Sequence, residues 1–227
     1  MNSLSPSICH HESKTVILSV VVSPNYIYIL TADNQFQIID KFNKRLIQSF
    51  QISLPSNGRV SGGTNKIYIS PDGINCMILC NGILFYYILD LSANSQSPKK
   101  ISTPPDEEPL CGTWFEEESI LYFIFGTNKG NLFQLNPLNT VSTTIIALEN
   151  QEPICDIFIC QKQGLNDANP IKFCSLCVDN SRLFYYSSPN SLVEMFTQAN
   201  PSKIQIGAMN SPIFSRLSYY NTEISIL

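Results

Sequence analysis

A chain of 227 residues is long enough for one large β domain or two small ones. At 44% hydrophobic and 14% charged it carries enough apolar material for a core, which excludes a disordered chain. Its net charge is −4, and Lys and Arg are scattered singly or in short pairs such as Lys99-Lys100. That leaves no basic stripe, so direct binding to nucleic acid or to anionic lipid is disfavoured.

Residues 1–14 are polar and lack a basic n-region, so they read as a disordered leader. Cys9-His10-His11 gathers three metal-ligand types there, but a fraying tail is the plainer reading and no metal or other cofactor is assigned. The chain's 2 histidines are His10 and His11. A Ser-His-Asp or Cys-His mechanism would have to borrow its base from this leader, so no catalytic residue is assigned. TVILSVVV (15–22) could pass for a short signal core. It ends at Ser23-Pro24-Asn25 with no small-residue cleavage site behind it, and its β-branched composition reads as a strand. No Asn-x-Ser/Thr acceptor occurs, Asn200-Pro201-Ser202 being excluded by its proline, which fits a cytosolic chain.

Residues 17–40, ILSVVVSPNYIYILTADNQFQIID, hold three short strands punctuated by Ser-Pro-Asn and Ala-Asp-Asn. The most apolar stretch is CMILCNGILFYYIL (76–89), 14 residues where a membrane helix needs roughly 20. Asn81-Gly82 cuts it in the middle and predicts a type I′ hairpin, because both residues tolerate positive φ. Side chains alternate across a strand, so an unbroken apolar run implies that both faces of this hairpin are covered. The polar, Pro-rich segment 92–109 then reads as a connecting loop. Residues 119–136 form another hairpin with Gly126 to Gly130 at its turn. GTNKG there lacks the pattern of a phosphate loop and reads as a turn. Residues 171–188 repeat the hairpin through Asp179-Asn180-Ser181, after an insertion loop at 163–170. No helical periodicity lasts long enough to compete.

The aromatic just after each turn is Phe36, Phe85, Phe133 and Phe184, spaced by 49, 48 and 51 residues. Lead strands recur as Pro109-Leu110-Cys111, Pro153-Ile154-Cys155 and Pro212-Ile213-Phe214. A period near 50 with about four short strands per repeat predicts an all-β fold, an incomplete β-propeller of about four four-stranded blades plus the start of a fifth. The blades fall roughly at 15–60, 61–105, 106–150 and 151–200, with the fifth starting over 210–227. An open ring leaves a blade face and a strand edge exposed, so the sequence reads as the front portion of something larger or as a truncated gene model.

Eight cysteines (9, 76, 80, 111, 155, 160, 174 and 177) sit mostly in apolar strands and read as reduced thiols. Cys174 and Cys177 have the spacing of half a zinc site, but residues three apart on a strand point to opposite faces. Cys76 and Cys80 share a face, yet roughly 13 Å of strand separates them. Two acidic triplets, Asp106-Glu107-Glu108 and Glu116-Glu117-Glu118, are expected on loops around Trp114, the chain's 1 tryptophan. Adjacent carboxylates on loops are usually solvated, and this rim is the candidate partner surface.

The order of these pieces resembles the N-terminal propeller of the vacuolar protein sorting-associated protein 18 (deep orange) family over roughly residues 15 to 220. The resemblance rests on ILSVVVSPNYIYI, on KIYISPDGINCMIL (66–79) with its turn at Pro71, Asp72 and Gly73, and on PLCGTWFEE (109–117) with Trp114. It continues through IFGTNKGNLFQL (124–135), PICDIFIC (153–160), SRLFYY (181–186) and IFSRLSYY (213–220). Gln134 stands where the family has an acidic residue. The resemblance implies a non-enzymatic tethering subunit of HOPS or CORVET type. Such a subunit works in the cytoplasm, peripherally on late endosome, lysosome or vacuole membranes, in docking and fusion. Its partners would be other class C subunits, with SNAREs or Rab GTPases reached through the complex. The family's α-solenoid and RING finger have no counterpart here, so solenoid assembly and ubiquitin-ligase activity do not carry over. The alternatives are a generic propeller scaffold or adaptor, although no Gly-His…Trp-Asp signature is present, and a propeller glycosidase with facing carboxylates.

Overall fold

The computed structural model describes residues 13–54, 64–89, 97–138, 141–148, 151–162, 171–179 and 182–198, with strand backbone at 202–205, 217–220 and 223–226. Cys9, His10, His11 and the 163–170 loop lie outside the described residues. β1 (Ile17–Val22), β2 (Tyr26–Thr31), β3 (Gln35–Asp40) and β4 (Leu46–Gln51) form a sheet in that order. So do β5 (Lys66–Ile69), β6 (Asn75–Cys80), β7 (Ile83–Ile88) and β8 (Lys99–Lys100). The third sheet runs β9 (Pro109–Glu117), β10 (Ile120–Thr127), β11 (Asn131–Asn136), β12 (Val141–Ala147). The fourth comprises β13 (Ile154–Lys162), β14 (Ile171–Val178), β15 (Arg182–Ser188) and β16 (Ser202–Gln205), with helix α1 (Leu192–Gln198) before its last strand. β17 (Leu217–Tyr220) and β18 (Glu223–Ile226) pair separately. Each four-stranded sheet is built from consecutive strands, which is the architecture of an incomplete β-propeller.

The repeat extends to individual hydrogen bonds. Ala32, Asn128 and Asp179 each follow the second strand of their sheet. Their N–H groups donate to the carbonyls of Val16, Glu108 and Pro153, the residues just before each first strand, at 2.8, 3.0 and 3.0 Å. In the second sheet Asn81 N–H uses the side chain of Asn65 instead, at 3.1 Å. Leu18, Leu110 and Cys155 are each the bulge residue that the strand register skips, at the second position of their first strand. Asn34, Gly82 and Gly130 precede the third strands and all have positive φ (61°, 73° and 74°). Asn81 itself stands at 50°, so Asn81-Gly82 has the double positive φ of a type I′ turn.

Phe36, Phe85, Phe133 and Phe184 all lie in the third strand of their own sheets and are buried. Phe133 pairs with Phe125 and Phe184 with Leu176, three residues before Asn128 and Asp179, so these two share one position. Phe36 pairs with Leu30, two residues before Ala32, and its equivalents are Leu132 and Leu183; the expected equivalence of Phe36 is one residue out of register.

The chain divides into two compact units, Met1–Asn81 with Phe85–Lys99 and Gly82–Leu84 with Lys100–Leu227. In the first, Phe36, Phe50 and Tyr87 form an aromatic cluster with ring centroids 4.8–6.3 Å apart. Full burial of each such ring contributes about 2–3 kcal/mol. In the second, the apolar faces of the third and fourth sheets share a core that includes Cys111, Phe115, Ile124, Ile154, Ile157 and Leu176. Gly126 lets the two faces approach: a Cβ there would lie 2.6 Å from Ile154 Cγ2.

Three expectations need correcting. Helix α1 exists where no helical periodicity was read. Ser191 caps it, accepting Glu194 N–H at 3.2 Å, and Leu192, Met195 and Phe196 are buried on one side. The signal was present as a Ser-x-x-Glu capping box followed by apolar residues at helical spacing. Strand β8 falls within the segment read as a connecting loop, held where Ile101 N–H donates to Leu84 O at 2.9 Å. Glu116 and Glu117 stand in β9 and not on a loop; only Glu118, with Ser119, makes the turn, at φ of 50° and 63°.

Candidate functional site

The first acidic triplet immediately precedes β9 and the second begins within it, after the strand's first seven residues, 109–115. From Glu107 to Glu117 the chain runs roughly 30 Å at strand rise. The structure therefore makes two acidic ends and not one rim around Trp114.

At the first end, Asp106 is an exposed turn residue with φ of 61°. The Glu107 carboxylate turns inward, accepting from Thr127 Oγ1 at 2.9 Å and from Asn131 Nδ2 at 2.8 Å. Thr127 is fully buried, and its hydroxyl oxygen also accepts Asn131 N–H at 3.3 Å. Glu107 is thus the acceptor that lets a buried hydroxyl close the β10–β11 turn. Glu108 N–H donates to Asn128 Oδ1 and its carbonyl accepts Asn128 N–H, both at 3.0 Å, and its side chain lies against Gly82. The first sheet closes the same turn with its own aspartate: Thr31 Oγ1 and Thr15 Oγ1 both donate to Asp33, at 2.5 and 2.9 Å. Those hydroxyls hold the Asp33 carboxyl below the usual carboxylate range.

At the second end, Glu117 forms an ion pair with Lys172 at 2.9 Å, the two side chains only 11% and 12% exposed. The same Oε1 accepts Leu192 N–H, the first turn of α1, at 3.2 Å. Lys172 Nζ also donates to Asn190 O at 2.9 Å. One carboxylate therefore ties the first strand of the third sheet to the second strand and helix of the fourth. Glu116 and Glu118 remain exposed. Trp114 is buried, 8% exposed, with its ring edge-on to Phe123 at 5.1 Å. It is a core residue and presents no surface to a partner.

Of the seven acidic-rim residues, Asp106, Glu116 and Glu118 face solvent, whereas Glu107, Glu117 and Trp114 are engaged inside. The sequence signal for that split was weak, because each partner comes from a distant strand. Fixed carboxylates could in principle move protons, but among the described residues no group of three His, Cys, Asp or Glu side chains is placed to hold a metal ion. Cys76, Cys80, Cys111, Cys174 and Cys177 are buried cysteines outside any disulfide, and Cys155 and Cys160 are half-buried. Burial pushes the Cys80 and Cys177 thiols up to about 11, and Cys76 and Cys174 higher still. Such thiols are protonated near neutral pH and make poor nucleophiles and ligands. Cys174 pairs with Ile159 and Tyr186, Cys177 with Asp156 and Leu183, so the two project from opposite faces of the sheet.

Residues 5–225 match the family model described as the Pep3/Vps18/deep orange beta-propeller domain. No curated protein matches the sequence. Among solved structures, the chain is similar to BBS1N in its complex with ARL6DN, with a TM-score of 0.55 and 14% identity over 86% of this chain and 56% of that one. It is also similar to BamB from Moraxella catarrhalis, with a TM-score of 0.51 and 10% identity over 84% of this chain and 50% of that one. The chain spans about half the length of these solved chains, and at such identity they speak for the fold alone.

Proposed function

The chain belongs to the Pep3/Vps18/deep orange β-propeller family, and from that membership we propose that it is part of a membrane-tethering subunit of HOPS or CORVET type. It acts on late endosome, lysosome or vacuole membranes, in docking and fusion, through protein–protein contacts and without catalysis of its own. The observation that carries this reading is the extent of the family match, nearly the whole chain. No helix among the described residues is long and apolar enough to cross a membrane, so recruitment through partners is part of the proposal.

The partner-facing side chains are Asp106, Glu116 and Glu118, the exposed members of the two acidic ends. Glu107, Glu108, Glu117 and Trp114 support them from inside the sheet. The partners are other class C subunits, with SNAREs or Rab GTPases reached through the complex. Exposed carboxylates on a rigid sheet favour encounter with a basic partner and steer its approach more than they tighten it.

Affinity capture of the tagged chain from cells tests this reading. Class C subunits should be recovered, and a variant with Asp106, Glu116 and Glu118 all changed to Ala should recover several-fold less at low salt. Capture that never contains class C subunits removes the tethering reading and leaves the generic scaffold. Undiminished capture by the triple variant moves the surface elsewhere.

A further inference from the structure

The turn between β3 and β4, with the start of β4, carries the most exposed large apolar side chain of the first sheet, Phe42. Residues 41–47, KFNKRLI, are all exposed. Phe42 is 73% exposed, Leu46 53% and Ile47 42%. The same seven residues carry Lys41, Lys44 and Arg45, three of the chain's 14 basic side chains. Lys41 N–H donates to Asn25 O at 2.9 Å, which brings the β1–β2 turn alongside and adds Val22, 59% exposed, to the same end of the sheet.

This tip is built and held. Asp40 Oδ1 accepts the N–H groups of Phe42 and Asn43, both at 2.8 Å, and its other oxygen takes the Asn43 amide at 3.0 Å. Asp40 N–H donates to Arg45 O and Lys44 N–H to Asp40 O, at 2.9 and 2.8 Å, with Lys44 in the left-handed region at φ of 56°. The Asp40 carboxylate is thus engaged by the turn's own residues, and Phe42 stands exposed at its tip. The third sheet repeats the device without the charge: Asn136 Oδ1 accepts Leu138 N–H at 3.0 Å, and Leu138 is 84% exposed. Its flanking sequence, Asn-Pro-Leu-Asn-Thr, has no basic residue.

We propose that residues 41–47 are a docking finger for an anionic lipid bilayer. A convex aromatic tip ringed by cations has the chemistry of interfacial insertion: the ring enters the headgroup region and the cations meet lipid phosphates and carboxylates. An acidic peptide would want a groove, whereas this surface protrudes. Over the whole chain the basic residues look scattered, but the stretch 41–47 itself sets three of them beside one exposed ring. This site is separate from the acidic ends of the third sheet, and it stands or falls independently of them.

The test is co-flotation of the 227-residue chain with phosphatidylcholine vesicles, with and without about 30% phosphatidylserine, at about 0.1 M salt. Binding should require phosphatidylserine and weaken at about 0.5 M salt, where screening is shorter-ranged. Changing Lys41, Lys44 and Arg45 to Ser should cost about five-fold per residue, near a hundred-fold together. Phe42→Ser should cost about ten-fold. Leu138→Ser should leave binding unchanged, and urea midpoints followed by Trp114 fluorescence should match the parent chain in every variant. Absence of binding, equal binding to neutral vesicles, or full binding by Phe42→Ser would overturn the proposal. So would capture of the finger by polyglutamate without capture by vesicles, which would make it a protein site.

Discussion

Removal of the Glu117 carboxylate discriminates most sharply between a structural role and a binding role. Glu117 and Lys172 are 2.9 Å apart and close to nine-tenths buried. At an effective dielectric of about 20 the gross attraction is about 6 kcal/mol, most of it offset by desolvation. Cutting one partner leaves the other charge buried, and breaking such pairs costs about 3–5 kcal/mol. The remaining tenth of exposure admits water and places Glu117→Ala near the lower end, about 3 kcal/mol, including the acceptor lost to Leu192 N–H. Glu117→Gln keeps an oxygen for that N–H and should cost about 2 kcal/mol. Lys172→Met should cost a similar amount, and the double variant Glu117→Gln/Lys172→Met should be about 2 kcal/mol better than the sum of its parts. Urea unfolding followed by Trp114 fluorescence reads this directly, since the chain's 1 tryptophan lies in the same strand as Glu117. A loss of about 3 kcal/mol moves the midpoint by about 1 M or more. A midpoint unmoved by Glu117→Ala, or strictly additive variants, would refute the account and return Glu117 to the candidate partner surface.

Two further outcomes test the packing and the thiols. Gly112→Ala would drive a methyl into the ring of Phe123 on the adjacent strand and against Ile124 O. Overpacking of this kind costs about 1–3 kcal/mol, and Phe123→Leu in the same chain should recover part of it in urea unfolding; a double variant as unstable as the sum of the two would show that the ring is not the obstacle. The buried thiols make stability pH-dependent. Cys76, Cys80, Cys174 and Cys177 are all raised by burial, Cys80 and Cys177 to about 11. In the unfolded chain they ionise near pH 8.5. Above that pH the folded state holds more protons, so stability is complete below about 8.5 and declines as pH rises toward 11. A urea midpoint that stays level between pH 7.5 and 10.5 under reducing conditions would contradict this.

What was readable beforehand divides by the distance over which each feature is determined. The Asn81-Gly82 turn and the alternating strands depend on a few neighbouring residues, and the structure has them in place; of the aligned phenylalanines, Phe133 and Phe184 are equivalent and Phe36 stands one residue out of register. Helix α1 was also locally encoded, by Ser191, Glu194 and the Leu192, Met195, Phe196 spacing, but seven residues are too few for periodicity to stand out. The acidic triplets were not separable by inspection. Glu107 and Glu118 look alike in sequence, yet one closes a turn on Thr127 and Asn131 and the other stays in water. Trp114 was read as part of the candidate partner surface and is buried at 8% exposure within β9.

By itself, then, the order of residues determined the strand repeat, the turn chemistry and the all-β class, since backbone conformation and side-chain alternation are properties of short segments. Tertiary structure decided which charges are spent on neighbours and which remain on the surface. Glu117 is taken by Lys172 from another sheet and Glu107 by Thr127 and Asn131, while Asp106, Glu116 and Glu118 stay exposed. Desolvation and ion pairing depend on residues far apart in the chain, and only folding brings those together.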